Sequence, residues 1–155
     1  MKHDLVLSLR DLAVLASGLV AGGQVLILFA LFPGLGRLDV LESFHFHQAV
    51  LSTDLPDRYI QPLGVLSMAV GVALLGVGRG TTADTALIAV GIASVVVIAV
   101  LTRLVNRPIN RLLGTWTDAQ VKEYPALRTR WYRGHAARTA CGLLGFACYI
   151  ALASH

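Results

Sequence analysis

The residues best suited to chemistry lie between positions 106 and 138, where asparagine, tryptophan, histidine and arginine recur at helical spacing. Asn106 and Asn110 are four residues apart, and Trp131, His135 and Arg138 occupy positions i, i+4 and i+7. On helices, the members of each set share one face. An imidazole can exchange a proton with a substrate, whereas amides and a guanidinium can hold and polarise an oxygen atom. We therefore predict His135, Arg138, Asn106 and Asn110 as catalytic residues.

A second group of candidates lies upstream, around two closely spaced histidines. Glu42 and His45 are three residues apart, as in the Glu-x-x-His pairs of metal sites in helical bundles. His47 is two residues from His45, so both imidazoles reach one centre only from an extended or broken backbone. With His135, the group predicts a transition-metal site with ligands from His45, His47, His135 and Glu42. Two alternatives stay open: interfacial histidines bonded to backbone or headgroups, and acid–base catalysis without a metal.

Three further side chains are predicted to contact a substrate. Trp131 offers a flat surface on which a planar molecule can stack, and Gln24 and Gln48 offer amide groups. Structural alternatives stay open here too. Gln24 can hydrogen-bond between helices, and Trp131 can belong to an interfacial aromatic belt. The asparagines around Pro108 can cap a broken helix, and Arg138 can extend towards lipid phosphates.

Composition indicates how these residues are positioned. The chain has 155 residues, of which 55% are hydrophobic and only 14% charged, whereas a soluble domain is about a quarter charged. We predict an all-α fold, an integral membrane four-helix bundle, formed by a single domain over residues 1–155. The predicted spans are 12–32, 58–78, 83–106 and 132–153, with an interfacial segment at 37–57 and a cytoplasmic loop at 107–131.

The basic residues predict the orientation of the bundle. Only Lys2, Arg10 and Arg79 fall on the side of the two termini, and the other ten lysines and arginines fall on the opposite side. By the positive-inside rule, the polar end is cytoplasmic and both termini are outside. An up-down bundle brings segment 37–57 against segment 107–131 at that end. The expected partners are the lipid bilayer and a hydrophobic small molecule, not nucleic acid, and homo-oligomerisation is left open.

Several motifs together suggest a family. They are the run Asn106-x-Pro108-x-Asn110, the run Arg130-Trp131-x-x-x-His135-x-x-Arg138, and the first-helix segments Ala21-Gly22-Gly23 and Phe32-Pro33-Gly34-Leu35. This pattern resembles the small four-helix membrane family that includes the anthrone oxygenases. His135 is a departure, because the family commonly has asparagine at that place in the motif.

The resemblance implies four membrane helices and an oxidoreductase that converts an anthrone to a quinone with molecular oxygen, a monooxygenase-type reaction of secondary metabolism. The substrate would be hydrophobic and aromatic, and the cofactor either a transition metal, copper or iron, or none besides O2. The alternative is a non-catalytic membrane accessory subunit or small-molecule binding module. That alternative needs only the glycine-lined helices and a basic end that attracts anionic lipid.

Overall fold

The computed structural model describes residues 2–51, 55–77 and 80–154, and within them every regular element is a helix. Four of these helices are long and apolar enough to cross a membrane. The predicted all-α architecture with four membrane helices is therefore confirmed. The helices follow one another up and down, so the end of the first, the start of the second, the end of the third and the start of the fourth lie together.

The first span is helix α1 (Lys2–Leu26), which continues through a π-helical segment, π1 (Ile27–Leu31), into the short helix α2 (Phe32–Leu35). The interfacial segment then contains helix α3 (Val40–Phe46) and a second π-helical segment, π2 (His47–Leu51). Asp39 begins α3, because its Oδ1 accepts a hydrogen bond from the backbone N–H of Glu42 at 2.8 Å.

The second and third spans each begin with one long α-helix. Helix α4 (Leu55–Val77) forms the second span, and helix α5 (Thr82–Leu101) forms most of the third. Beyond α5, a third π-helical segment, π3 (Thr102–Asn106), leads into helix α6 (Arg107–Thr115). Helical structure thus continues past the predicted end of the span at residue 106. Pro108 does not break it, because the residue lies in the first turn of α6, where a missing N–H is tolerated.

The fourth span is helix α7 (Tyr124–Ala153), which follows a short 3-10 turn (Asp118–Glu123). Helix α7 packs against both α1 and α5, and α4 packs against the same two helices from the other side. The order around the bundle is therefore α1, α4, α5, α7. Because α7 contacts both of its neighbours along much of its length, the residues on its inner face reach the centre of the polar end.

In the half of the bundle away from the polar end, close packing depends on glycines around Tyr149, a fully buried residue. A Cβ added at Gly91 would lie 2.7 Å from the Tyr149 ring, and one added at Gly71 would lie 2.6 Å from its hydroxyl oxygen. These distances are below van der Waals contact, so α4 and α5 approach α7 only because both residues lack a side chain. The two glycines therefore make room for the buried Tyr149 side chain.

Gly91→Ala is therefore expected to destabilise the protein by about 1–3 kcal/mol, the usual cost of overpacking a closed core. Thermal unfolding in detergent, followed by circular dichroism, measures the change. Gly76→Ala is the matched control, because nothing lies within 4 Å of its added Cβ and alanine favours the helix. Equal melting temperatures for the two variants would contradict this packing.

Candidate functional site

Three π-helical segments converge at the polar end of the bundle, and each precedes or carries a residue of the candidate site. Segment π1 ends before Phe32, π2 begins with His47, and π3 ends with Asn106. A π-helical turn shifts the following side chains around the helix and occurs often at functional sites. The three segments therefore direct these side chains towards the inner face of α7.

Trp131, 3% exposed, lies at the centre of this arrangement. Its backbone carbonyl accepts a hydrogen bond from Asn106 Nδ2 at 3.1 Å, and its indole Nε1 donates to Asn110 Oδ1 at 2.7 Å. The other end of the Asn110 amide donates to the backbone carbonyl of Leu51 at 2.8 Å. Asn110 thus joins α6 to both π2 and α7, and it fixes the orientation of the indole.

Three rings surround the indole. The rings of Phe32 and His135 lie parallel to it within 5° and 6°, at centroid distances of 5.5 and 5.0 Å. The His47 ring meets it edge-on at 5.2 Å, with an interplanar angle of 77°. The structure therefore brings His47 and His135 to the same tryptophan from two different segments. Trp131 packs inside the protein rather than in an outward-facing aromatic belt.

His135 is held in one tautomer. Its Nε2 lies 3.0 Å from the backbone carbonyl oxygen of Gln24, and because a carbonyl only accepts, Nε2 carries the proton. In the neutral ring, Nδ1 then bears the lone pair. This nitrogen is buried and has no hydrogen-bonding partner among the described residues.

Other buried polar atoms at this end are also without a partner within the described residues. They are both ends of the Gln24 amide, Asn106 Oδ1 and His47 Nε2. Leaving a buried polar group unsatisfied costs about 1–3 kcal/mol, so proteins retain such groups mainly where a ligand or water completes them. Gln24, Asn106 and His135 come from three different spans, and each has a buried polar atom without a partner in the described structure.

His47 belongs to a hydrogen-bonded group that the sequence did not predict. Its Nδ1 lies 3.3 Å from the hydroxyl of Tyr124, which donates to the Ser43 carbonyl at 3.0 Å. Arg128 donates to the Ser43 hydroxyl at 3.1 Å. Tyr124 and Arg128 continue the helical face of Trp131 towards the start of α7, at i−7 and i−3. Extending that spacing by two turns is the signal that would have found them.

Burial lowers the pKa of His47, which lies in π2 outside the spanning helices, from its ordinary value of 6.5 to about 4. The polar Asn110 side chain partly opposes this shift, and the positive charge of Arg128 adds to it. At neutral pH the ring is therefore uncharged. A neutral imidazole between Tyr124 and Trp131 can exchange a hydrogen bond without adding charge to the core.

The remaining predicted ligands lie away from His135. His45 is about half exposed and pairs with Asp118 at 2.7 Å, while Glu42 is exposed in the first turn of α3. In the described part of the chain, no three His, Cys, Asp or Glu side chains are grouped closely enough to hold a metal. The predicted set of Glu42, His45, His47 and His135 is thus not brought together, because successive turns of α3 and π2 direct His45 outwards and His47 inwards.

Gln48 also has a structural partner. Its Nε2 donates to the backbone carbonyls of Leu113 at 2.7 Å and Trp116 at 2.9 Å. The last carbonyls of a helix have no partner within the helix, so Gln48 caps the end of α6. This contact holds π2 over the end of the third span, and with it the position of His47.

A cavity of about 490 Å³ opens between α4 and α5 and extends to Arg138, which is 8% exposed. Most of its wall is apolar, with Ile60, Met68 and Val95 among the lining residues. Val20, Thr102 and Arg138 also line it. Each of these three is within about one turn of a residue with an open polar atom, namely Gln24, Asn106 and His135. Gln24, Asn106 and His135 themselves are not among the described lining residues, so the cavity comes close to them in the chain without reaching them.

The pair of Asn110 and Trp131 predicts a measurable coupling energy. Asn110→Ala and Trp131→Phe should each reduce stability, and the double variant should lose about 0.5–3 kcal/mol less than their sum. The reason is that both changes remove the same hydrogen bond. A double-mutant cycle of unfolding in detergent measures it. Simple additivity would contradict the contact.

His47 predicts a dependence of stability on pH. Between pH 6.5 and about 4 the unfolded chain binds a proton at His47 that the folded chain does not. The contribution of the neutral His47 ring to the free energy of unfolding is complete above pH 6.5. It is lost as the pH falls towards 4, by up to about 1.4 kcal/mol per pH unit. Melting temperatures from pH 7 to 4.5 should fall more steeply for the wild type than for His47→Gln, which does not titrate. Parallel curves would contradict the burial of a neutral His47.

Comparison with known proteins identifies the family. No curated protein and no solved structure matches the chain. A family model described as anthrone oxygenase matches residues 54–148. The matched part includes α4, α5, π3 and α6 and most of α7, and so contains Asn106, Asn110, Trp131, His135 and Arg138. The family match covers more than half of the 155 residues. This protein belongs to the anthrone oxygenase family.

Proposed function

We propose that this protein is a membrane oxygenase that oxidises a hydrophobic aromatic substrate of the anthrone type with O2. The observation that carries the proposal is the mostly apolar cavity between α4 and α5, which extends to the buried Arg138, three residues from His135 on α7. Its volume of about 490 Å³ is in the range of small-molecule sites. A substrate dissolved in the bilayer would enter laterally, with the site at the cytoplasmic end of the bundle.

The proposed reaction converts a methylene carbon into a carbonyl. One O2 is consumed, one of its oxygen atoms enters the carbonyl and the other leaves as water. Oxidation of the methylene releases four electrons and two protons, and reduction of O2 to these products takes up four electrons, so no external reductant is needed. The first step is loss of a proton from the methylene, which gives an enolate that dioxygen can oxidise.

The side chains have distinct roles in this proposal. His135 Nδ1 accepts the proton, because Nε2 is committed to the Gln24 carbonyl. Arg138 stabilises the enolate oxygen, because its positive charge lies at the buried end of a mostly apolar cavity. The open Gln24 amide and Asn106 Oδ1 bind further oxygens of the substrate. Asn110, Trp131 and Gln48 position these groups rather than react, since their polar atoms already bond within the protein.

Oxygen uptake by the purified protein in nanodiscs, with unsubstituted anthrone as the probe, tests the proposal. We expect protein-dependent uptake of one O2 per anthraquinone formed, above the rate in protein-free nanodiscs. Arg138→Gln should lower kcat/KM by about 10²–10³, the usual effect of removing one oxyanion donor. Arg133→Gln, an exposed residue of the same helix, is the matched control.

Arg138→Lys separates a folding defect from a lost function, because it keeps the charge and is expected to retain part of the activity. Circular dichroism checks that each variant is folded. Uptake no greater than in protein-free nanodiscs would overturn the proposal. If anthrone bound stoichiometrically without being oxidised, a non-catalytic binding module would be the better description.

A further inference from the structure

The cavity between α4 and α5 has a buried inner wall and an exposed mouth. Among the described lining residues, each of the four spans supplies one buried residue of the inner wall, and these are Val20, Gly64, Ile98 and Arg138. Exposed side chains of α4 and α5 line the mouth, among them Val65, Val96 and Val100. A molecule that enters from the bilayer therefore passes between two apolar helix faces before it reaches the inner wall.

Gly64 is the smallest residue of this wall, and packing does not require a glycine at its position. Gly71, two turns further along α4, is different, because an added Cβ would lie 2.6 Å from the Tyr149 hydroxyl oxygen. A Cβ added at Gly64 would lie 3.6 Å from Val95 Cγ1, which is ordinary van der Waals contact. Alanine would therefore fit, whereas a longer side chain would either displace Val95 or extend into the cavity that both residues line.

Two larger side chains flank Gly64 on the same face of α4. Ile60 and Met68 lie four residues before and after it, or about one helical turn in each direction, and both also line the cavity. The missing side chain thus leaves a gap between them. Glycine allows close approach of a ligand to the backbone, so a flat ring can lie against α4 at this point.

We propose that Gly64 determines the size of the substrate, because the gap at this residue admits a system of three fused rings to the inner wall and a larger residue would exclude it. This inference rests on the proposed function, since it concerns the substrate of the same site. Gly64 has no side chain that could react or donate a hydrogen bond, so it acts through space alone and determines specificity. A smaller ketone leaves the gap unused, and its binding should not depend on the residue at position 64.

Binding of anthraquinone and of 1-tetralone, a ketone with two rings, tests the inference by equilibrium dialysis in nanodiscs. The wild type should bind both ketones above their partitioning into protein-free nanodiscs. Gly64→Leu should weaken binding of anthraquinone about tenfold, the usual scale of overpacking a closed site, and change binding of 1-tetralone less than about twofold. Gly64→Ala should have a smaller effect on anthraquinone, because its Cβ makes only an ordinary contact with Val95.

Gly76→Leu is the matched control. Gly76 is an exposed residue of the same helix, lies outside the described lining and has nothing within 4 Å of an added Cβ, so this change should affect neither ketone. The double variant Gly64→Leu/Met68→Ala, which removes volume one turn away, should recover part of the binding of anthraquinone. Recovery separates an effect of size from a folding defect, and it decides the inference even where 1-tetralone binds too weakly to measure.

Equal weakening of both ketones by Gly64→Leu, full binding of anthraquinone to that variant, or no recovery in the double variant would overturn the inference. So would a wild type that binds anthraquinone no better than protein-free nanodiscs do. Binding is measured instead of turnover, so the result does not depend on whether anthrone is oxidised. Conversely, equal rates of anthrone-dependent oxygen uptake by the wild type and Gly64→Leu would leave the proposed function intact and reject only this inference.

Discussion

The hydrogen bond from Trp131 Nε1 to Asn110 is the contact on which the polar end of the bundle depends. A buried indole N–H needs an acceptor, and Asn110 of α6 supplies it to Trp131 of α7. The same asparagine holds the Leu51 carbonyl, which brings π2 down onto the bundle. His47 and His135 then reach the two sides of the site that the indole orients. This contact therefore brings α6, α7 and π2 together at one asparagine.

The indole N–H has a hydrogen-bonding partner, whereas several buried polar atoms around it have none in the described structure. Gln24, Asn106 and His135 each retain a buried polar atom without a partner in the described structure, although the surrounding residues are closely packed. Such atoms lower stability when empty, so a ligand that completes them gains binding energy that the fold itself does not use. Trp131 holds two of these residues in place, because its backbone carbonyl accepts a hydrogen bond from Asn106 and its ring stacks on His135. Polar groups that are held rigidly and are free to bond to a ligand are what stabilisation of an enolate would require.

Much of the fold follows from sequence, but the details of the site do not. Long apolar runs are enough to predict four spans, and the i, i+4, i+7 spacing correctly placed Trp131, His135 and Arg138 on one buried face. The π-helical segments have no comparable pattern, and they determine where His47 and Asn106 point. His45 and His47 separated because residues two apart on a helix face different ways. Tyr124 was missed because its partners, Ser43 and His47, lie about 80 residues away in the chain.

A structure of the protein in nanodiscs with anthraquinone bound would locate the ring system without relying on activity. We expect density for the rings between α4 and α5, with one quinone oxygen within hydrogen-bonding distance of Arg138 and the indole of Trp131 unmoved. Density at the opposite end of the bundle, near the Arg10 and Asp84 ion pair, would contradict this expectation. So would rings bound only on the outer, lipid-facing surface, because no open polar atom of the site would then be used.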